Sequence, residues 1–251
     1  MVLVNPIYSL EDNSSYNQLC LENSNLSCLA SLTPSPTESK GHPQFGPSEE
    51  EKQALIENLN KEIGKWMDLS VFCQSLRNIV EVDGDVSFFH GKRILEIGFT
   101  TGLPAIYALE KFAESVMVVC ANKEILEASI KPTFSQSKDV DRVDCTVGDV
   151  TNLENVLEAD EYDVILAPEL IHTSVEDFER IHDTLYSLLA YEGVILFSGH
   201  AYYSDSNGNM QSILDIIKQK DKFEAVDRTP STSGSDPCQR KVIQLMHKQM
   251  I

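Results

Sequence analysis

The stretch Arg93-Ile94-Leu95-Glu96-Ile97-Gly98-Phe99-Thr100-Thr101-Gly102-Leu103 decides how this chain is read. A short apolar run ends in an acid, passes through a turn bearing Gly98 and Gly102, and opens into a helical pattern over Leu103–Phe112. A strand feeding a helix in this way is the unit from which parallel sheets are built. Such sheets bind ligands at the carboxyl ends of their strands, and glycine lets the backbone come close to what is bound. Gly98 and Gly102 are therefore candidate ligand contacts, with a tight strand-to-helix connection as the alternative. Glu96 puts negative charge where a cationic amino acid or a sulfonium compound would sit, and it would repel a phosphate. It either accepts from the ligand's amino group or organises the loop.

Further strand-like runs follow at Ser115–Cys120, Val143–Val147, Tyr162–Ala167, Val194–Ser198, Phe223–Val226 and Lys241–His247. Helical patterns lie between them near Lys123–Ile130, Val175–Tyr191 and Met210–Lys220, with Ser174 and Asp177 capping the second of these. The alternation predicts an α/β fold with a mostly parallel sheet and helices on both faces. Thr229-Pro230-Ser231-Thr232-Ser233-Gly234-Ser235 joins the last two strands without a helix, which predicts a C-terminal antiparallel hairpin.

Residues 1–47 are rich in Ser, Asn, Thr and Pro and are expected to form a disordered tail. Its Ser-Pro and Thr-Pro steps also fit phosphorylation sites. Ser48 with Glu51 forms a capping box that opens a helical segment over 48–91, expected to pack on the core domain of 92–251. Lys plus Arg total 20 against 39 for Asp plus Glu, a formal net charge of −19. That field argues against direct nucleic-acid binding and favours a basic protein partner. The acidic runs Asp139–Asp144 and Glu154–Glu161 read as solvated faces, or as an attraction for that partner. No stretch reaches the roughly 18 apolar residues that span a bilayer. The N-terminus lacks a signal-peptide pattern, so a cytoplasmic or nuclear location is expected. Cys73, Cys120 and Cys145 lie in apolar runs and read as buried free thiols. No HxH or HExxH spacing supports a metal, and no G-x-S-x-G elbow supports a hydrolase.

The opening stretch resembles motif I of the seven-strand S-adenosylmethionine (SAM) methyltransferases, E/D-x-G-x-G-x-G, with Thr100 in place of the middle glycine. The order of later elements matches that class, with Val147-Gly148-Asp149 after the third strand and Tyr162–Glu169 as the fourth. Tyr162-Asp163-Val164-Ile165-Leu166-Ala167-Pro168-Glu169-Leu170-Ile171-His172 is similar to the Y-D-L-I-L-x-S-E-x-I-Y segment of protein-histidine methyltransferases. Ser198-Gly199-His200-Ala201-Tyr202-Tyr203 stands at their S-K-A-H-Y-F, Lys65-Trp66-Met67-Asp68 at their K-x-W-E, and His90–Glu96 at their lead into motif I. The resemblance covers roughly residues 60–225 and names the histidine protein methyltransferase 1 family.

The resemblance implies a Rossmann-like seven-strand methyltransferase sheet, SAM as methyl donor, and a histidine in a ribosomal protein as acceptor. It implies cofactor contacts at Glu96, Gly98, Gly102 and Asp149, the last beside the adenine amine, with a loop cap after the third strand as the alternative for Asp149. An acid normally follows the second strand to hold the ribose hydroxyls. Ala121 stands there, and Asn122 is the candidate substitute. Trp66 would cover the cofactor pocket, or serve as an ordinary core aromatic. Glu169, at the tip of the fourth strand, is the candidate catalytic residue, with a structural acid as the alternative. His172 and His200 flank the same end and read as packed or solvated histidines. Thr100 and Ala121 keep open a second outcome, a catalytically inactive methyltransferase fold serving as an interaction module.

Overall fold

The structure, a computed structural model, describes residues 65–135, 137–170, 175–201, 209–231 and 240–248. The chain divides into two compact units, Met1–Ser70 and Val71–Ile251. In the first, the described residues 65–70, Trp66 among them, are helical. The expected tail 1–47, the capping box at Ser48 and Glu51, and the cap at Ser174 lie outside the described residues.

The second unit carries seven strands: β1 Arg93–Glu96, β2 Ser115–Cys120, β3 Val143–Val147, β4 Tyr162–Ala167, β5 Leu189–His200, β6 Phe223–Asp227 and β7 Arg240–His247. Its main helices are α1 Leu103–Glu110, α2 Val175–Leu188 and α3 Met210–Lys220. A broken helical segment after β2 is α-helical at Lys123–Ile125 and Lys131–Ser135 and π-type at Leu126–Ile130. Strand order is β3-β2-β1-β4-β5-β7-β6. The first five strands are mutually parallel, and β7 runs antiparallel between β5 and β6. The expected antiparallel pair is thus present, with β7 inserted inside β6.

The period of the sequence explains which faces are covered. Leu95, Ile165, Ile195, Phe197 and Ile243 project to one side of the sheet. There they meet Phe178, Ile181 and Leu185 of α2 and Ile213 and Ile217 of α3, apolar positions three and four apart. Asn209 caps α3 by accepting from the Ser212 amide at 2.9 Å, and Lys218 and Lys220 sit in its last turn, where the helix dipole favours cations. Before β1, residues 71–77 are helical and run into a π-type turn, Asn78–Val82. Glu81 in that turn accepts from Tyr107 Oη and Lys111 Nζ, each at 3.1 Å, and so ties the turn to α1.

Two expectations need correction. The helix predicted to reach Tyr191 ends at Leu188, because Leu189 pairs with Tyr162 and begins β5. The chain then bulges before Val194 resumes the ladder opposite Val164. Gly193 permits this, since a Cβ there would lie 2.7 Å from the Leu189 side chain and 2.8 Å from the Ala190 carbonyl. Cys145 is only half-buried, on edge strand β3, whereas Cys73 and Cys120 are buried. Burial pushes the Cys120 thiol up to about 11 and raises Cys145 as well, which keeps both thiols protonated at neutral pH.

Candidate functional site

The direction of strand addition reverses between β1 and β4, where a parallel sheet opens a crevice at its carboxyl edge. The loop after β1 forms one wall. Glu96 is fully buried at its start. Its Oε1 accepts from the amides of Thr101 (3.0 Å) and Gly102 (2.9 Å), and its Oε2 from Ala105 at 2.9 Å. The Gly102 and Ala105 amides are among those that the first turn of α1 leaves without intrahelical partners, so Glu96 satisfies them and, through Thr101, fixes the loop before it. Burial pushes its carboxyl up to about 7, against the pull of the Gly102, Thr101 and Ala105 amides. Of the two roles expected for Glu96, organising the loop is the one its geometry carries.

Gly98 adopts φ +80°, and a Cβ there would lie 2.5 Å from the Pro168 carbonyl oxygen. That oxygen accepts from the Phe99 amide at 2.7 Å, so the loop is drawn against the tip of β4. Gly98 is nevertheless exposed, at the mouth of the crevice. Gly102 caps α1 at φ +78°, and a Cβ there would meet the Phe134 ring at 2.9 Å. Both glycines therefore serve the connection itself. Thr100, in the middle glycine position, is buried and donates from Oγ1 to the Val119 carbonyl at 3.3 Å. Its side chain turns into the tip of β2 and fastens the loop there.

At the end of β2, Ala121 and Asn122 are exposed, and Asn122 Oδ1 caps the following turn by accepting from the Ile125 amide at 2.9 Å. After β3, the Gly148 amide donates to the Cys120 carbonyl at 3.0 Å, holding the two strand ends together. Asp149 is exposed and accepts from the Thr151 amide at 2.9 Å. That amide bond leads the influences holding its carboxyl below the usual range. At the tip of β4, Glu169 is buried and left-handed, with φ +54°. Its amide donates to Ser198 Oγ of β5 at 3.1 Å. A non-glycine residue held in that backbone region stores strain, a recurring feature of working sites. His200 is half-buried at the end of β5, in register with Arg240. His172 lies outside the described residues, and Trp66 belongs to the first unit.

The structure thus brings Glu96, Gly98, Gly102, Asn122, Asp149 and Glu169 to one edge of the sheet. Sequence reading missed Ser198 and Pro168 as the partners that set Glu169 and Phe99. Its one available signal was Pro168, which has no amide to continue the ladder into β5.

Comparison with known proteins agrees with this architecture. Residues 95–197 match the methyltransferase domain family. An uncharacterized protein of Caenorhabditis elegans is 34% identical over 181 residues, 72% of this chain and 74% of that protein. A histidine protein methyltransferase 1 homolog of Dictyostelium discoideum is 25% identical over 51% of this chain and 41% of its own length. Among solved structures, the YcgJ protein of Bacillus subtilis superposes with a TM-score of 0.53 at 16% identity, over 70% of this chain and 99% of that one. The CurJ carbon methyltransferase gives 0.51 at 15% identity, over 93% and 81%. These two likenesses show the fold.

The chain belongs to one family with the nematode protein, and its residues 95–197 carry a methyltransferase domain. SAM is the methyl donor of this class. The residues present fit it. Gly98, Asn122 and Asp149, which follow β1, β2 and β3 in turn, are all exposed at the carboxyl edge of the sheet. The Phe99 backbone, Asn122 and Asp149 are the groups that would hold the cofactor. No helix among the described residues is long and apolar enough to cross a membrane.

Proposed function

We propose that this protein methylates a histidine side-chain nitrogen of a basic protein, a ribosomal protein by family resemblance, with SAM as donor. The observation that carries the reading is Glu169, buried and left-handed at the tip of β4, on the rim of the switch-point crevice. The similarity of Tyr162–Glu169 to the protein-histidine methyltransferases and the Dictyostelium relative support the acceptor class.

Bound SAM supplies a methyl group already activated by its sulfonium. The work left to the protein is to present a neutral nitrogen in line and keep water out. An imidazole must arrive unprotonated at the attacking nitrogen. As the new C–N bond forms and the C–S bond breaks, positive charge develops on the ring. The Glu169 carboxylate stabilises that charge and accepts the proton from the other ring nitrogen. A net charge of −19 supports a basic acceptor, since it attracts one at long range.

A second reading, an inactive fold kept for protein interaction, is favoured by Ala121 at the ribose position. It is also favoured by Glu96, both of whose oxygens are committed to loop amides. One experiment separates the readings. The full chain is incubated with tritiated SAM and total ribosomal protein, and labelled proteins are mapped by mass spectrometry. Methylhistidine that is lost in the Glu169→Gln variant supports the proposal. Label on another residue type overturns the acceptor. No transfer together with no SAM binding at millimolar concentration overturns the enzyme.

A further inference from the structure

We propose that Ser198 is a positioning residue that fixes Glu169 at the site. The inference rests on the reading that Glu169 serves methyl transfer, and it adds how its carboxylate is aimed. The β4–β5 ladder ends at the pair Ala167–Phe197. The next residue, Pro168, has no amide with which to continue it. The peptide unit between Pro168 and Glu169 is instead held at both ends. Its carbonyl oxygen accepts from the Phe99 amide at 2.7 Å, on the β1 side. Its N–H donates to Ser198 Oγ at 3.1 Å, on the β5 side. A peptide unit is planar, so these two bonds fix its plane across the crevice.

From a fixed plane, φ alone sets where the Glu169 side chain departs, and φ is +54°. That value is strained for a glutamate and needs outside support to persist. Ser198 is 2% exposed and Glu169 8%, so water is a poor substitute for the hydroxyl. The same peptide unit joins the glycine loop to the catalytic tip, because Phe99 follows Gly98. Ser198 thus acts on the reaction through Glu169, without touching cofactor or acceptor itself.

The test uses the full chain and the variants Ser198→Ala and Ser198→Thr. Amide hydrogen exchange at Glu169, read by NMR, is expected to quicken about tenfold in S198A while the Ile165 and Leu166 amides hold. Ser198→Thr, which keeps the oxygen, restores the slow rate. The carbon-13 resonance of the Glu169 carboxyl shifts in S198A and returns in S198T. Affinity for SAM stays within about threefold, while kcat on total ribosomal protein falls about tenfold. Unchanged exchange and an unmoved carboxyl resonance overturn the proposal, as does a kcat that S198T fails to restore while it restores the slow exchange. Both NMR readouts need no acceptor. If wild type methylates nothing while the NMR changes occur, the histidine-methylation reading fails and Ser198 remains the residue that sets Glu169.

Discussion

Gly98→Ala isolates the contact that closes the crevice. Two costs add. An alanine at φ +80° carries about 1–2 kcal/mol of left-handed strain. Its Cβ would also lie 2.5 Å from the Pro168 oxygen, so that carbonyl must move and the Phe99–Pro168 bond of 2.7 Å must stretch or break. Losing such a bond costs about 0.5–1.5 kcal/mol. Against this, alanine restricts the unfolded chain and returns about 0.4–1 kcal/mol. The net expectation is a loss of about 0.5–3 kcal/mol. Gly91→Ala is the matched control. Gly91 has φ +67°, but a Cβ added there would meet nothing within 4 Å, so only the backbone strain applies. Urea denaturation of both variants should place G98A about 0.5–1.5 kcal/mol below G91A, the share of the Phe99–Pro168 bond. Calorimetry should show weaker SAM binding in G98A alone, because only there does the tip of β4 shift. Equal stability losses in the two variants would refute the claim that contact with β4 makes glycine obligatory at this position.

Three further expectations follow from the titrating and ligand-facing groups. Ala121→Asp restores a carboxylate at the exposed end of β2 and should tighten SAM binding about tenfold by calorimetry; an unchanged affinity would mean the ribose does not lie there. Glu96 is held near 7 in the fold against an ordinary 4.5, so between those values the folded chain binds more protons than the unfolded one. Its contribution therefore falls by about 3 kcal/mol as pH rises from 4.5 to 7, a slope that should be missing when Glu96→Gln is compared with wild type by urea titration. His182 has the opposite sign: burial lowers its folded value below 6.5, so it costs stability as pH falls beneath 6.5. Its ring packs edge-on to Phe223 at 5.1 Å, and His182→Leu should flatten the loss in denaturation midpoint between pH 7 and 5.5; an equally steep loss would remove His182 as its source.

What could be read in advance follows from how local its cause is. The strands announce themselves by β-branched and apolar runs between turn residues, except for the start of β5 at Leu189, which continues the apolar spacing of α2 and reads as helix. The segment 123–135 is less legible, since its change from α to π winding comes from neighbours and not from composition. Thr100 reads as a lost glycine until β2 is in place, when its hydroxyl finds the Val119 carbonyl. Glu169 is legible as a position at a strand end, but its left-handed backbone is not. Its support comes from Ser198, 29 residues later and on another strand.

Most of the glycine-loop motif proves to be a requirement of folding. Glu96 satisfies the start of α1, Gly98 admits the Pro168 carbonyl, and Gly102 clears Phe134. A chain that had lost methyl transfer would still need all of them to close the β1 loop. Their presence therefore weighs equally for an enzyme and for an inactive fold. The discriminating positions are those the proposed function needs: Ala121 and Asn122 at the end of β2, Asp149 after β3 and Glu169 at the tip of β4, of which Asn122 and Asp149 also cap their own turns. At the first of these, where the resemblance expects an acid, the chain has Ala121. At the last it has an acid, Glu169, at φ +54°. Phe112, Asp160 and Asp221 share that backbone region, so the conformation alone does not mark a working site; the place of Glu169 at the tip of β4, tied to Ser198, is what makes it the more decisive of the two to test.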